Sequence, residues 1–283
     1  MNNEKIVRFN SLLQWADAIM VGAASGMSAA AGMNFWYENS PLVDKYLGDF
    51  QQKYHFKGIF NGFYTHYPDE ETYYAYLTKM MQLIYTARPT KPTYDNLRKL
   101  IKDKPYHIMT TNQDALFPLY FPEDNISAIQ GDWRYFQSAD TSTDENLYNF
   151  QPIMDELLPQ IKQMRLPTTA LPHSPENGSL LIPWVRSYSF LEGEKYEHEY
   201  AKIQAFLSYH HNDKIVFLEL GVGRMTPMFI QEPFWNLTYN LPQARYININ
   251  PKDAITHPKI ADKSLLIDAD INEVLQKVID LFY

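Results

Sequence analysis

Apolar residues recur at helical spacing between Glu4 and Ala16, at Ile6, Phe9, Leu12, Leu13 and Ala16, which predicts an amphipathic first helix. Short apolar runs then follow at wide intervals: AIMV (Ala18–Val21), YHIMTT (Tyr106–Thr111), KIVFLEL (Lys214–Leu220), RYINI (Arg245–Ile249) and SLLID (Ser264–Asp268). Runs this apolar read as strands buried on both faces, the kind found in parallel sheets. Helical patterns such as YDNLRKLI (Tyr94–Ile101) and INEVLQKVIDLF (Ile271–Phe282) fall among them. The alternation predicts an α/β fold with a doubly wound, Rossmann-like parallel sheet. Two segments break the rhythm. Tyr37–Ala87 is rich in Tyr and reads as a helical insertion, and Trp133–Lys195 is irregular, rich in Pro, Ser, Thr and Asn, and reads as a small module. The expected division is a Rossmann-like domain over 1–36, 88–132 and 196–283, a helical insertion over 37–87 and a small module over 133–195.

Composition narrows the field. A net charge of −8 without a long basic run argues against nucleic acid as a partner. No apolar run is long enough to cross a bilayer, and MNNEKIVRFN lacks the apolar core of a signal peptide, so a cytoplasmic protein is expected. There is no cysteine, which removes disulfides and thiolate metal ligands.

The stretch VGAASGMSAAAGMNFW (Val21–Trp36) sets a strand end, then small residues, then a helix start. That order can present backbone N–H groups to a pyrophosphate, and it also serves plain close packing. Further segments of the same kind sit where strands end: TTNQD (Thr110–Asp114), GVGRMTP (Gly221–Pro227) and ININ (Ile247–Asn250). Each alone reads as a cap or turn. Together they point to a dinucleotide crevice.

The order and wording of these segments resemble the sirtuin family over nearly the whole chain. The family's Gly-Ala-Gly-Ile-Ser and Ser-Gly-Ile-Pro-Asp-Phe-Arg resemble Ala24-Ser25-Gly26-Met27-Ser28 and Ala31-Gly32-Met33-Asn34-Phe35-Trp36-Tyr37. Its Thr-Gln-Asn-Ile-Asp resembles Thr110-Thr111-Asn112-Gln113-Asp114, and its His-Gly falls on Gln130-Gly131. The resemblance implies the sirtuin fold and NAD. Gly22, Ala24, Ser25, Gly26 and Ser28 would then cradle the pyrophosphate, with Trp36 shielding the reaction centre and Thr111 beside it. Asn112 would orient the nicotinamide ribose, Asp114 would hold the carboxamide, and Gln130 would hydrogen-bond the ribose hydroxyls; these three are the candidate catalytic residues. Gly221, Val222, Gly223, Thr226 and Asn250 would surround the adenosine half.

The departures redirect the chemistry. Gln130 stands where deacylating sirtuins use His as a general base, and a carboxamide cannot take up a proton near neutral pH. Losing such a base costs roughly 10²–10⁴-fold in the step it serves. Ser138, Ser174 and Asn177 stand in positions resembling the family's zinc cysteines, so a zinc-free module with no metal site is expected, ordered by Trp133, Phe136, Tyr148 and Trp184. His173, His210 and His211 read as solvated. The peptide-pairing Phe-Gly-Glu of the family survives poorly in YSFLEGE (Tyr188–Glu194), and Tyr37 replaces its Arg. Gln130, with ELGVGRMTPMFIQEPFW, resembles the macrodomain-linked (class M) sirtuins. That branch implies an ADP-ribosyltransferase acting on a protein acceptor, a lipoylated carrier protein, with a macrodomain hydrolase reversing the mark. An NAD-dependent deacylase and a non-catalytic NAD or ADP-ribose binding module stay open as alternatives.

Overall fold

A computed structural model describes residues 3–283. The chain forms two compact units. The strands in chain order are β1 (Ala18–Ala23), β2 (Tyr106–Thr110), β3 (Ile126–Ala128), β4 (Gly131–Ser138), β5 (Leu147–Asn149), β6 (Leu181–Val185), β7 (Ile215–Leu220), β8 (Ala244–Ile249) and β9 (Ser264–Ile267).

The first unit takes the chain up to Gly32, Pro89–Gln130 and Glu192–Tyr283. Its sheet has six strands in the order β3-β2-β1-β7-β8-β9, all parallel. Every residue of β1 and β7 is buried, as central parallel strands require. The first helix spans Asn3–Trp15 and buries Ile6, Phe9 and Leu13. The last spans Ile271–Phe282, begins at an Asp270 cap that accepts from Glu273 N, and buries Ile271, Val274, Leu275 and Val278. Each such fully buried side chain contributes roughly 1.5–3 kcal/mol. The short β3 had no legible pattern, because three residues are too few for periodicity to show. His210, expected in solvent, is instead buried, with Nδ1 2.7 Å from Asp213 Oδ2. No helix among the described residues is long and apolar enough to cross a membrane.

The second unit takes Met33–Arg88 and Gly131–Leu191. The helices Pro41–Tyr54, Gly58–Phe63 and Glu70–Thr86 belong to it, together with an antiparallel sheet in the order β5-β4-β6. Helical and sheet segments share one core here: Tyr74 Oη donates to Leu181 O at 2.9 Å, and Phe63 meets Trp133 edge-on at 5.1 Å. Phe136 stacks on Phe150 at 3.8 Å, and Trp184 is fully buried.

The loops at this sheet's end are tied by hydrogen bonds. Asn177 Nδ2 donates to Asp140 O and to Thr143 Oγ1, both at 2.9 Å, and Ser138 Oγ donates to Asn177 Oδ1 at 3.2 Å. Ser174 Oγ donates to Asp144 Oδ2 at 2.6 Å, joined there by Tyr148 Oη at 2.8 Å. No group of three or more His, Asp or Glu among the described residues is placed to hold a metal ion. The polar knot ties these loops directly, with Asp144 as its charged centre. Burial pushes the Asp144 carboxyl up, but hydrogen bonds from Ser174, the Asn146 N–H and Tyr148 outweigh it and hold the group below its ordinary value.

Ser174→Ala should lower the stability of this unit by about 1–3 kcal/mol, because it strips a donor from a buried carboxylate. A carboxyl depressed in the fold adds stability above its unfolded value of 3.8, which is lost as pH falls through the folded value. Asp144→Asn should accordingly flatten the acid side of a stability profile measured by chemical denaturation.

Candidate functional site

In the first unit the chain steps outward from β1 to β2 and β3, then restarts at β7 and steps outward to β8 and β9. The C-terminal ends of β1 and β7 are thus the switch point, where open α/β sheets leave a ligand crevice. The turn after β1 and the loop after β7 meet there in backbone contact. Gly26 N donates to Gly221 O at 3.1 Å, and Ala24 N donates to Leu220 O at 3.2 Å. A Cβ on Gly26 would lie 2.6 Å from Gly221 Cα, and one on Gly221, whose φ is +64°, would lie 2.5 Å from Gly26 Cα.

The expected cradle residues lie in and just after β1. Gly22 lies inside β1, paired to both neighbouring strands, and its missing side chain makes room for Ile230 and Phe234. Gly26 engages its N–H with Gly221 O, and a Cβ there would meet the Gly221 backbone. Ser28 is buried and directs its hydroxyl inward, leaving Ser25 as the exposed member of the set. Ala24 is buried and offers its carbonyl to the Met27 N–H at 2.8 Å.

Behind the turn the sequence motifs converge on one hydroxyl. Ser28 Oγ donates to Asp114 Oδ2 at 2.5 Å and accepts from Asn112 Nδ2 at 3.0 Å. The same Asn112 Nδ2 donates to Ala24 O at 3.1 Å, which fixes the amide with its NH₂ toward the cradle. Tyr94 Oη lies 3.4 Å from Ser28 Oγ. Burial first, and then the Asp114 carboxylate, hold the Tyr94 phenol well above its ordinary value, so it stays protonated and can donate. Asp114 Oδ1 also accepts from Leu116 N at 3.2 Å, across Ala115 at φ +55°. A left-handed alanine costs about 1–2 kcal/mol, which this cap helps to hold. Thr111 is half-buried and ties β2 to β1 through its N–H to Ala23 O at 3.1 Å.

Gln130 closes this unit's second segment just past β3, half-buried. Among the described residues its carboxamide takes no protein partner, while its carbonyl accepts from Gln113 Nε2 at 2.7 Å. The loop after β7 runs from buried Gly221 and Val222 to exposed Gly223 and Thr226, and a Cβ at Gly223 would meet nothing within 4 Å. Asn250 is 6% exposed and fully engaged. Its Nδ2 donates to Val222 O at 2.9 Å and its Oδ1 accepts from Lys252 N and Asp253 N, so it braces the loop instead of facing it. Trp36 belongs to the second unit, in a short helix beside Phe35.

Two residues escaped the sequence reading. Tyr94 looked like an ordinary core position of an amphipathic helix, and nothing in its spacing announced a polar tip on Ser28. Glu219 sits within a strand as apolar as its neighbours, yet its carboxylate accepts from Tyr246 Oη at 2.6 Å and from Gln231 Nε2 at 2.8 Å. Burial lifts its pKa to about 7 against the pull of those bonds.

No family model matches the chain. It is 26% identical over 263 residues to a protein of Staphylococcus aureus named protein ADP-ribosyltransferase, covering 92% of this chain and 82% of that one. It is also 26% identical over 230 residues to a probable bifunctional ADP-ribose hydrolase/ADP-ribosyltransferase of Fusarium oxysporum f. sp. cubense, covering 78% of this chain and 38% of that protein. Among solved structures it matches a Sir2 enzyme bound to a propionylated peptide, with a TM-score of 0.60 at 15% identity over 98% of both chains. A Sir2 homologue in complex with ADP-ribose matches with a TM-score of 0.57 at 15% identity, over 96% of this chain and 94% of that one. The chain has the Sir2 sirtuin fold.

Gly26→Ala should destabilise the ligand-free protein by about 1–3 kcal/mol in thermal unfolding, since its Cβ would meet backbone that cannot swing aside. Glu219 should make stability fall with rising pH. Its folded pKa of about 7 exceeds the ordinary 4.5, so its contribution is complete below 4.5 and lost as pH rises through about 7. Glu219→Gln should remove that slope from unfolding curves taken between pH 4 and 8, bounds set about either side of the two values.

Proposed function

We propose that this chain is an NAD-dependent protein ADP-ribosyltransferase of the sirtuin type. The observation that carries the reading is the contrast between two parts of one site. The Asn112–Ser28–Asp114 cluster is assembled by direct hydrogen bonds, yet the group beyond β3 is the neutral, unengaged carboxamide of Gln130. A site of this kind can orient a glycosidic bond but has no base there to activate a ribose hydroxyl, the step a deacylase needs. The name of the Staphylococcus aureus relative supports the same activity.

The exposed members of the two loops would serve a dinucleotide. The C-terminal ends of β1 and β7 form the switch point, Ser25 and Gly223 are exposed in the loops that follow, and a Cβ on Gly223 would meet nothing within 4 Å. Bound NAD supplies ADP-ribose, with nicotinamide leaving from the anomeric carbon. Ser25 would contact the pyrophosphate, and the Gly221–Thr226 loop would flank the adenosine half. Asn112, held from behind by Ala24 O and Ser28, would orient the nicotinamide ribose, and Asp114 would hold the carboxamide. Gln130 would hydrogen-bond the ribose hydroxyls without taking their protons.

The acceptor in this reading is a protein, and a lipoylated carrier is the acceptor we favour. The macrodomain-linked branch also implies a hydrolase partner that removes the mark. A named ADP-ribose hydrolase/transferase among the relatives supports that pairing.

Incubation with NAD and a lipoylated carrier should yield an ADP-ribosylated carrier by mass spectrometry, while acetyl-lysine peptides stay acylated. Asn112→Ala should reduce transfer by about 10²-fold or more through lost orientation. Gln130→Ala should cost less, since no proton transfer goes with it. Efficient deacetylation by the unaltered protein would refute the reading.

A further inference from the structure

We infer that Gln113 is a positioning residue that acts through Gln130, an inference that rests on the transferase reading above. The three residues before the chain leaves this unit are each held at one backbone atom. Ala128 N donates to Glu199 Oε2 at 3.3 Å, Ile129 N donates to Thr110 O at 3.0 Å, and Gln130 O accepts from Gln113 Nε2 at 2.7 Å. The last bond is the shortest of the three, and it is the one made by a side chain of the Asn112–Asp114 loop itself.

The consequence is geometric. Rotation about the Gln130 Cα–C bond carries its carbonyl, and fixing that carbonyl fixes the backbone from which the Gln130 side chain projects. Among the described residues the carboxamide at the tip takes no protein partner, and none of them orients it from the far end. A freely rotating carboxamide loses conformational freedom each time it engages a ribose hydroxyl, whereas one projecting from a pinned backbone loses less. Gln113 is half-buried, adjacent in sequence to both Asn112 and Asp114. One loop thereby sets the hydroxyl cluster through Asn112 and Asp114 and the opposite carboxamide through Gln113.

On the β3 side, among the described residues, only Gln113 reaches the Gln130 carbonyl. Glu199 is occupied with Lys195 at 3.3 Å and Lys202 at 2.8 Å in addition to Ala128 N. Ser127 Oγ donates to Glu199 O at 2.7 Å and lies 2.8 Å from His107 Nε2. These contacts anchor β3 beneath Gln130 but stop two residues short of its carbonyl.

The test is a double-mutant cycle on the full chain, read as nicotinamide release from NAD in the presence of lipoylated carrier protein. Gln113→Leu and the isosteric Gln113→Glu both remove the donor, and the second keeps the shape. Each should lower kcat about tenfold, the size of one lost hydrogen bond, with KM for NAD changed less than about twofold and the thermal midpoint held. In a Gln130→Ala background the same substitutions should change kcat less than about twofold, because the group they position is gone. Equal losses in both backgrounds would show a structural role and overturn the proposal, as would Gln113→Leu turning over like the unaltered chain. If the unaltered chain releases no nicotinamide at all, the transferase reading falls and this inference falls with it. Turnover that survives in the unaltered chain and in Gln113→Leu alike removes the inference alone.

Discussion

The contact between Gly26 and Gly221 is the constraint on which the site depends. Two loops leaving adjacent parallel strands normally diverge to make room for side chains. Here both residues lack one, and the backbones close to hydrogen-bond distance, with Gly26 N on Gly221 O. That closure fixes where Ala24 O points, and Ala24 O is one of the two acceptors that orient Asn112. It also fixes where Val222 O points, which Asn250 then grips from the end of β8. The two loops are therefore joined by main-chain contact across the switch point.

The fold was legible because its central strands are buried on both faces and so carry continuous apolar runs. β1 and β7 are visible in the sequence for that reason, and the helix Ile271–Phe282 is visible from its strong one-sided pattern. The same logic hid β3, which is short, and extended β1 past its predicted end, since Gly22 and Ala23 look like turn residues yet continue the sheet. The site was legible at the level of which loops meet, because small and amide residues ended the right strands. It was not legible at the level of which atoms are available. A sequence shows that Gly26, Ser28 and Asn250 carry donors, but only coordinates show that each donor already has an acceptor inside the protein.

The buried hydroxyl of Ser28 illustrates how such a site keeps its shape. Asp114, Asn112 and Tyr94 approach it from a strand-end loop and a helix, the first as acceptor and the other two as donors. A carboxylate can only accept, an amide nitrogen can only donate, and a phenol held protonated by burial donates. The donors and acceptors balance around one oxygen, which leaves the network a single low-energy arrangement and the amide of Asn112 a single orientation.

The knot around Asp144 and Asn177 has a consequence for the conditions under which this protein keeps its shape. Its members are hydroxyls, amides and one carboxylate, with no thiol in the entire chain. A loop region cross-linked through thiolates and a metal is vulnerable to oxidants and to competition for the metal. This one offers an oxidant no sulfur to attack within the cross-link. Its weak point is acid: protonating Asp144 turns the acceptor at the knot's centre into a donor facing the hydroxyls of Ser174 and Tyr148. The persistence of the knot thus answers to proton concentration rather than to redox state.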